Sequence, residues 1–166
     1  GPAGYGQPQD QSRLIVAIDG DGNMWSNNNF LVGAQTTIYD QIGAGISKFA
    51  PNGRPLSPPI TGYLGGGVDS AGWGIAISAD DKVWVTSLIG STISVFDRKT
   101  GQPLSPETGY NFDGKLGQMQ GIIVTPSGDV WALDNGHDQI VYLPQGDASK
   151  GRILGRTEDG KAVDGT

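Results

Sequence analysis

One stretch of this sequence occurs three times, and that constrains the fold more than any other feature. Gly74 to Val85 reads GIAISADDKVWV and Gly121 to Ala132 reads GIIVTPSGDVWA, an offset of 47 residues. Val16 to Ser26, VAIDGDGNMWS, is a third copy, with its Trp25 lying 59 positions before Trp84. Each copy is a short apolar run, a polar turn, and a second run centred on Trp25, Trp84 or Trp131. The turns Asp19-Gly20-Asp21-Gly22-Asn23, Ala79-Asp80-Asp81-Lys82 and Pro126-Ser127-Gly128-Asp129 are rich in the residues that close β-hairpins. Such a period must be read first, because the repeating unit is what folds.

A third run follows in each copy: GISKF (Gly45 to Phe49), TISVF (Thr92 to Phe96) and QIVYL (Gln139 to Leu143). Apolar and polar residues roughly alternate, as in a strand with two unlike faces. From the Trp to the last apolar residue is 12 positions in copies two and three but 24 in copy one. Copy one therefore carries a single insertion, which lies between Ser26 and Gly45. A fourth element also repeats: RPLSPPITGY (Arg54 to Tyr63), QPLSPETGY (Gln102 to Tyr110) and, more weakly, GRILG (Gly151 to Gly155). Glycine supplies 28 of the 166 residues and charged residues only 17%, which suits a turn-rich β-protein and not a helical bundle. No segment sustains a helical apolar period.

Four short strands in about 47 residues are the strand count and length of a β-propeller blade. The expected fold class is all-β: three four-stranded antiparallel blades, forming a partial propeller or half of a six-bladed ring. Residues 1–12 read as an N-terminal tail and 13–72 as blade one with its insertion at 30–44. Residues 73–120 read as blade two, and 121–166 as blade three with a C-terminal tail. From Arg13 to Gly155 the pattern resembles NHL-type propellers and the related gluconolactonase-like and virginiamycin B lyase-like groups. The residues that carry this are the Gly-Ile-Ala-Ile strand at Gly74, the Asp-x-x-Gly-type turn, the Trp strand and Asn-Gly-His-Asp-Gln-Ile at 135–140. That last stretch departs from the NHL signature at Gln139, where many NHL copies have arginine. The resemblance implies the fold; such relatives include both binding modules and enzymes.

The net charge is −6, and of the 11 basic residues only Arg98 and Lys99 are adjacent. A polyanion partner needs clustered cations, so nucleic acid is not expected, nor is an anionic membrane surface. The chain has no cysteine, which removes disulfides, thiolate metal sites and cysteine nucleophiles. The longest apolar run, Leu14 to Ile18, is five residues, against about 20 for a membrane-crossing helix. We expect an extracellular or periplasmic location.

Each candidate site residue has a plainer role beside it. Asp19 to Asn23 begins like a calcium loop, but position 12 of that loop would be Phe30 instead of the bidentate Glu required, so the segment reads as a turn. Asn27, Asn28 and Asn29 follow the first Trp strand, with Thr86-Ser87-Leu88 and Leu133-Asp134-Asn135 at the aligned places. Such loops often border the mouth of a propeller channel, which makes Asn27, Asn28, Asn29, Ser87, Asp134, Asn135 and His137 the ligand-binding candidates; amides of this kind also cap turns. Asp134 and His137, beside Asp138, are the one acid–base constellation. With a single histidine, a metal would rest on oxygen ligands, which favours calcium or magnesium. No cofactor is otherwise expected. Trp25, Trp84 and Trp131 read as packing between blades, and Trp73 stands apart. Phe30 and Tyr39, in the apolar insertion Phe30 to Ala44, are the candidate partner contacts.

A three-bladed arc would leave apolar faces open at both ends, which is rare in soluble monomers. The expected partner is another copy of the chain, or further blades of a longer chain, that closes the ring. A protein or small-molecule ligand is compatible with the same arc. The function expected is a non-catalytic binding module that acts through one face. The alternatives are a divalent-metal-dependent lactonase- or lyase-like enzyme and a structural segment of a larger extracellular assembly.

Overall fold

The computed structural model describes residues 15–27, 45–59, 61–68, 72–156 and 162–163. Strands β1 (Val16–Ile18), β2 (Met24–Asn27) and β3 (Ile46–Phe49) form a first antiparallel sheet. Strands β4 (Gly72–Ile77), β5 (Lys82–Ser87) and β6 (Thr92–Asp97) form a second. The third runs in order through β7 (Met119–Val124), β8 (Val130–Asp134), β9 (Gln139–Leu143), β10 (Arg152–Arg156) and β11 (Ala162–Val163). The tail at 1–12 and the insertion at 30–44, with Phe30 and Tyr39, lie outside the described residues. Each of the three sequence copies has become one sheet, in a common register. Ala17, Ala76 and Ile123 pair with the three Trp residues on one side; Lys48, Val95 and Tyr142 pair with them on the other.

The hairpin turns follow one rule. The residue three after Asp19, Ser78 or Thr125 is left-handed: Gly22 (φ 80°), Asp81 (φ 64°) and Gly128 (φ 89°). Glycine occupies two of these places because it has no Cβ to clash there. Asp81 is compensated by ion pairs described below.

The repeated Pro-Leu-Ser-Pro segments explain why the fourth strand looks different in the first two sheets. There it is reduced to isolated bridges, Ile46 with Tyr63 and Phe49 with Pro55, then Ile93 with Tyr110 and Phe96 with Pro103. Proline has no N–H to give to a ladder and is confined to edges. A serine makes good the loss. Lys48 N donates to Ser57 Oγ (3.1 Å) and Val95 N to Ser105 Oγ (2.9 Å). Leu56 N and Leu104 N return bonds to the carbonyls of Lys48 and Val95 (2.8 and 2.7 Å). The third sheet has no proline in the corresponding stretch, and β10 forms as a regular strand.

Neighbouring sheets pack face to face, so each middle-sheet strand is apolar on both sides. One core lies between sheets one and two and includes Trp25, Ile46, Ile75, Val83, Val85 and Phe96. The other lies between sheets two and three and includes Trp84, Ile93, Val95, Met119, Ile122 and Val130. We call the Trp-bearing side of each sheet its trailing face. Trp25 and Trp84 are buried by the next sheet, whereas Trp131 is half-buried because its trailing face is open. Trp73, in β4, is also half-buried.

Candidate functional site

Asp19 closes the first turn and also anchors the first junction. Its carboxylate accepts from Asp21 N (3.0 Å), Asn23 N (2.9 Å) and Trp25 Nε1 (3.0 Å). Burial works to raise its pKa, but the bonds from Trp25 and Asn23 outweigh burial and hold it well below the usual carboxylate range. Arg98, buried and reaching over from the second sheet, lies 3.3 Å from Asp19 and pairs with Asp21 and Asp81. Lys48 Nζ sits 4.8 Å over the Trp25 ring and donates to Arg98 O (2.8 Å). The loop that begins like a calcium site is thus a turn filled by the protein's own cations.

A polar tie recurs at the end of the Trp strands. Asn27, Thr86 and Leu133 share one register position, opposite Ile46, Ile93 and Ile140. Asn27 Nδ2 donates to Gly74 O in the second sheet (3.1 Å). Thr86 accepts from Gly74 N (2.8 Å), and its hydroxyl donates to Gln120 O in the third sheet. Leu133 has no such tie and lies exposed on the open face. Ser87 is fully buried beside Thr86. Asn28 and Asn29 lie outside the described residues.

Asp134 is the hub of the β8–β9 turn. Its buried carboxylate accepts from Gly117 N (2.8 Å), Gly136 N (3.1 Å) and Gln139 Nε2 (2.7 Å). His137 Nδ1 lies 3.2 Å from it and 3.1 Å from Lys115 O. Lys115 O and the Asp134 carboxylate are acceptors and favour the tautomer protonated at Nδ1, with Gln139 Nε2 3.5 Å away. Gln139 Nε2 bonds Lys115 O as well (3.0 Å), so its amide gives two donors at the place where many NHL copies have arginine. A carboxylate-oriented imidazole can act as a general base. Here the carboxylate is already shared among four donors and clasps the approach to β7 onto the turn. Among the described residues, no hydroxyl nucleophile bonds the imidazole.

A hard cation needs several free oxygens. Both oxygens of Asp134 take N–H donors, while Asn27 Oδ1 is buried without a partner. Among the described residues no three His, Asp or Glu side chains gather as metal ligands. Asp134, with both oxygens engaged, does not by itself offer a site for calcium or magnesium.

The feature that sequence reading did not single out is the trailing face of the third sheet. The Trp131 and Tyr142 rings stack with centroids 4.3 Å apart. Tyr142 is anchored by donation to Asp129 Oδ1 (3.3 Å), and the Gln145 N–H and Ser127 hydroxyl hold Asp129 below the usual carboxylate range. Beside the rings Ile123, Leu133, Ile140 and Leu154 project on the same side. Two adjoining depressions share Leu133 and Ile140: one of about 310 Å³ over Ile123 and Trp131, one of about 610 Å³ running to Asp134, Asn135 and Asp138. The site is an apolar sheet face with a polar rim. Alternation placed these residues together, and they form a surface because no sheet among the described residues covers them.

Comparison with solved structures decides the architecture. The chain superposes on a gluconolactonase from Xanthomonas campestris with TM-score 0.59 at 15% identity, covering 98% of this chain and 57% of that one. The chain folds as β-propeller blades. A virginiamycin B lyase from Staphylococcus aureus gives TM-score 0.57 at 18% identity, covering 94% and 56%. A nidogen/laminin complex gives 0.58 at 20%, covering 87% and 48%. The blades thus span about half the length of these propellers. Likeness at such identities shows the fold alone. No protein-family model matches the sequence, and no curated protein does. No helix among the described residues is long and apolar enough to cross a membrane.

Proposed function

We propose that this chain is a non-catalytic propeller module that binds a protein partner through the trailing face of its third blade. The observation that carries this reading is the continuous apolar face of Ile123, Trp131, Leu133, Ile140 and Leu154, rimmed by Asn135 and Asp138. Exposed apolar faces bounded by polar residues mark protein-binding surfaces, and a flat sheet face suits another sheet better than a small solute. The Asp134–His137 pair serves this face by fixing the turn at its edge.

The competing reading is a metal-dependent lactonase or lyase, since neighbours of the same fold include both enzymes. The test is hydrolysis of glucono-lactone with added calcium and with chelator. We expect no turnover above the spontaneous rate in either arm. Turnover that chelator abolishes overturns the proposal.

A further inference from the structure

Both junctions inside the chain are built alike. The inner strand of the following sheet lies across the first two strands of the sheet before it: β4 on β1 and β2, β7 on β4 and β5. The side chains sent across are Ile75 and Ile77 in the first junction, Ile122 and Val124 in the second. At the same register positions β1 carries Val16 and Ile18, opposite Ser26 and Met24. These two are 55% and 62% exposed. The outer part of that face is already closed, since Ser26, Ser47 and Phe49 are buried. What stays open on the first sheet is the strip that a junction uses.

The third sheet offers the counterpart. Its β7 and β8 are the strands that would receive such a strip, and there Ile123 is 61% and Leu133 52% exposed. Among the described residues, the first and third sheets therefore carry the two complementary halves of such a junction. Within the chain a Trp-bearing face always meets an Ile/Val strip and never another Trp-bearing face, which disfavours two trailing faces packing together.

We infer that two copies of this chain assemble head to tail, β1 of each lying across β7 and β8 of the other. The inference rests on reading the third-sheet face as a protein-binding surface, and it names the partner. Head-to-tail contacts close into rings when the rotation permits. Two copies give six sheets, within the four to eight typical of closed propellers. The sizes agree, since one chain covers 57% of the gluconolactonase and 56% of the lyase.

The test is molar mass by light scattering on the wild type, Ile18→Glu, Leu133→Glu and their mixture. Both positions are exposed within one chain, so both variants fold, which tryptophan fluorescence checks. The wild type is expected at twice the 17.3 kDa chain mass and each variant at half the wild-type value. Mixing the two variants restores dimer, because the sound first sheet of Leu133→Glu meets the sound third sheet of Ile18→Glu. Leu104→Glu, at an equally exposed leucine on the outer edge of the second sheet, stays dimeric. With no native cysteine, Val16→Cys with Leu133→Cys in one chain gives a disulfide-linked dimer on oxidation. A wild type that is monomeric at every concentration overturns the inference, as does an Ile18→Glu variant that still dimerises. A monomeric mass without lactone turnover removes the second copy as partner and leaves the binding module standing. Chelator-sensitive turnover removes that module whatever the mass.

Discussion

Between the first and second sheets, six buried apolar side chains share the space with Asp19, Lys48 and Arg98. Between the second and third, ten buried apolar side chains fill it, and no ion pair among the described residues crosses. The strand register is the same in both. Asp19 becomes Ser78 at the turn, and Arg98 becomes Gln145 two residues beyond the last buried apolar position. The Trp indole follows the change: Trp25 donates to the Asp19 carboxylate, Trp84 to the Ser78 hydroxyl (3.3 Å). Pairing fixes where the sheets meet, and a few positions decide whether charge or apolar packing holds them.

The strongest way to break the comparison is to empty the apolar junction. Trp84→Ala removes a buried ring from the larger core and should cost about 4 kcal/mol by denaturant unfolding. Trp131→Ala, at the same register position but without a covering sheet, should cost about 1 kcal/mol in the monomer, mostly from lost stacking on Tyr142. Equal losses would mean that the ring's own sheet, and not the junction, supplies the stability.

The ionic junction should respond to acid where the apolar one does not. The Asp19 carboxylate binds its proton more weakly in the folded chain than in the unfolded one. Its contribution is therefore complete above the unfolded value of about 4 and is lost as pH falls below that through the lowered folded value. Hydrogen exchange should quicken in β1–β3 below about pH 4, before β7–β9 respond. Asp19→Ala should cost about 3 kcal/mol at neutral pH, because Lys48 and Arg98 lose a buried counter-charge. It should also flatten the acid limb. An acid response shared evenly by all three sheets would place the sensitivity elsewhere.

Much of this was legible in the sequence because a repeat reports its own register. Matching Trp25, Trp84 and Trp131 placed the strands, and the Asp19–Asn23 turn was recognisable from its glycines. The fourth strands were legible in position but not in form. Pro55 and Pro103 forbid a continuous ladder, and the serine that replaces the missing bond shows only once Ser57 and Ser105 are seen beside β3 and β6. Arg98 could not be paired from sequence, because Asp19 and Asp21 lie 79 and 77 positions earlier. The nominated Asp134 and His137 do sit together, yet burial turns the carboxylate into a clasp. The open face was legible residue by residue, but its exposure depends on what packs against it.

A smaller effect than that of emptying the apolar junction or discharging the ionic one is expected at the polar tie that each junction makes at a common position. Thr86→Val keeps the shape but strips the partner from Gly74 N and Gln120 O, both at a closely packed inner strand. An unsatisfied buried backbone group is costly, so a loss of about 1.5 kcal/mol is expected. Asn27→Leu removes only the bond to Gly74 O and also removes the unpartnered Oδ1, so the two changes partly cancel and the loss should be under about 1 kcal/mol. The third sheet already carries leucine here, at Leu133, where no tie to another sheet forms among the described residues. If Asn27→Leu proves the costlier of the two, the tie matters more in the ionic junction, and the apolar core of the second is sufficient without it.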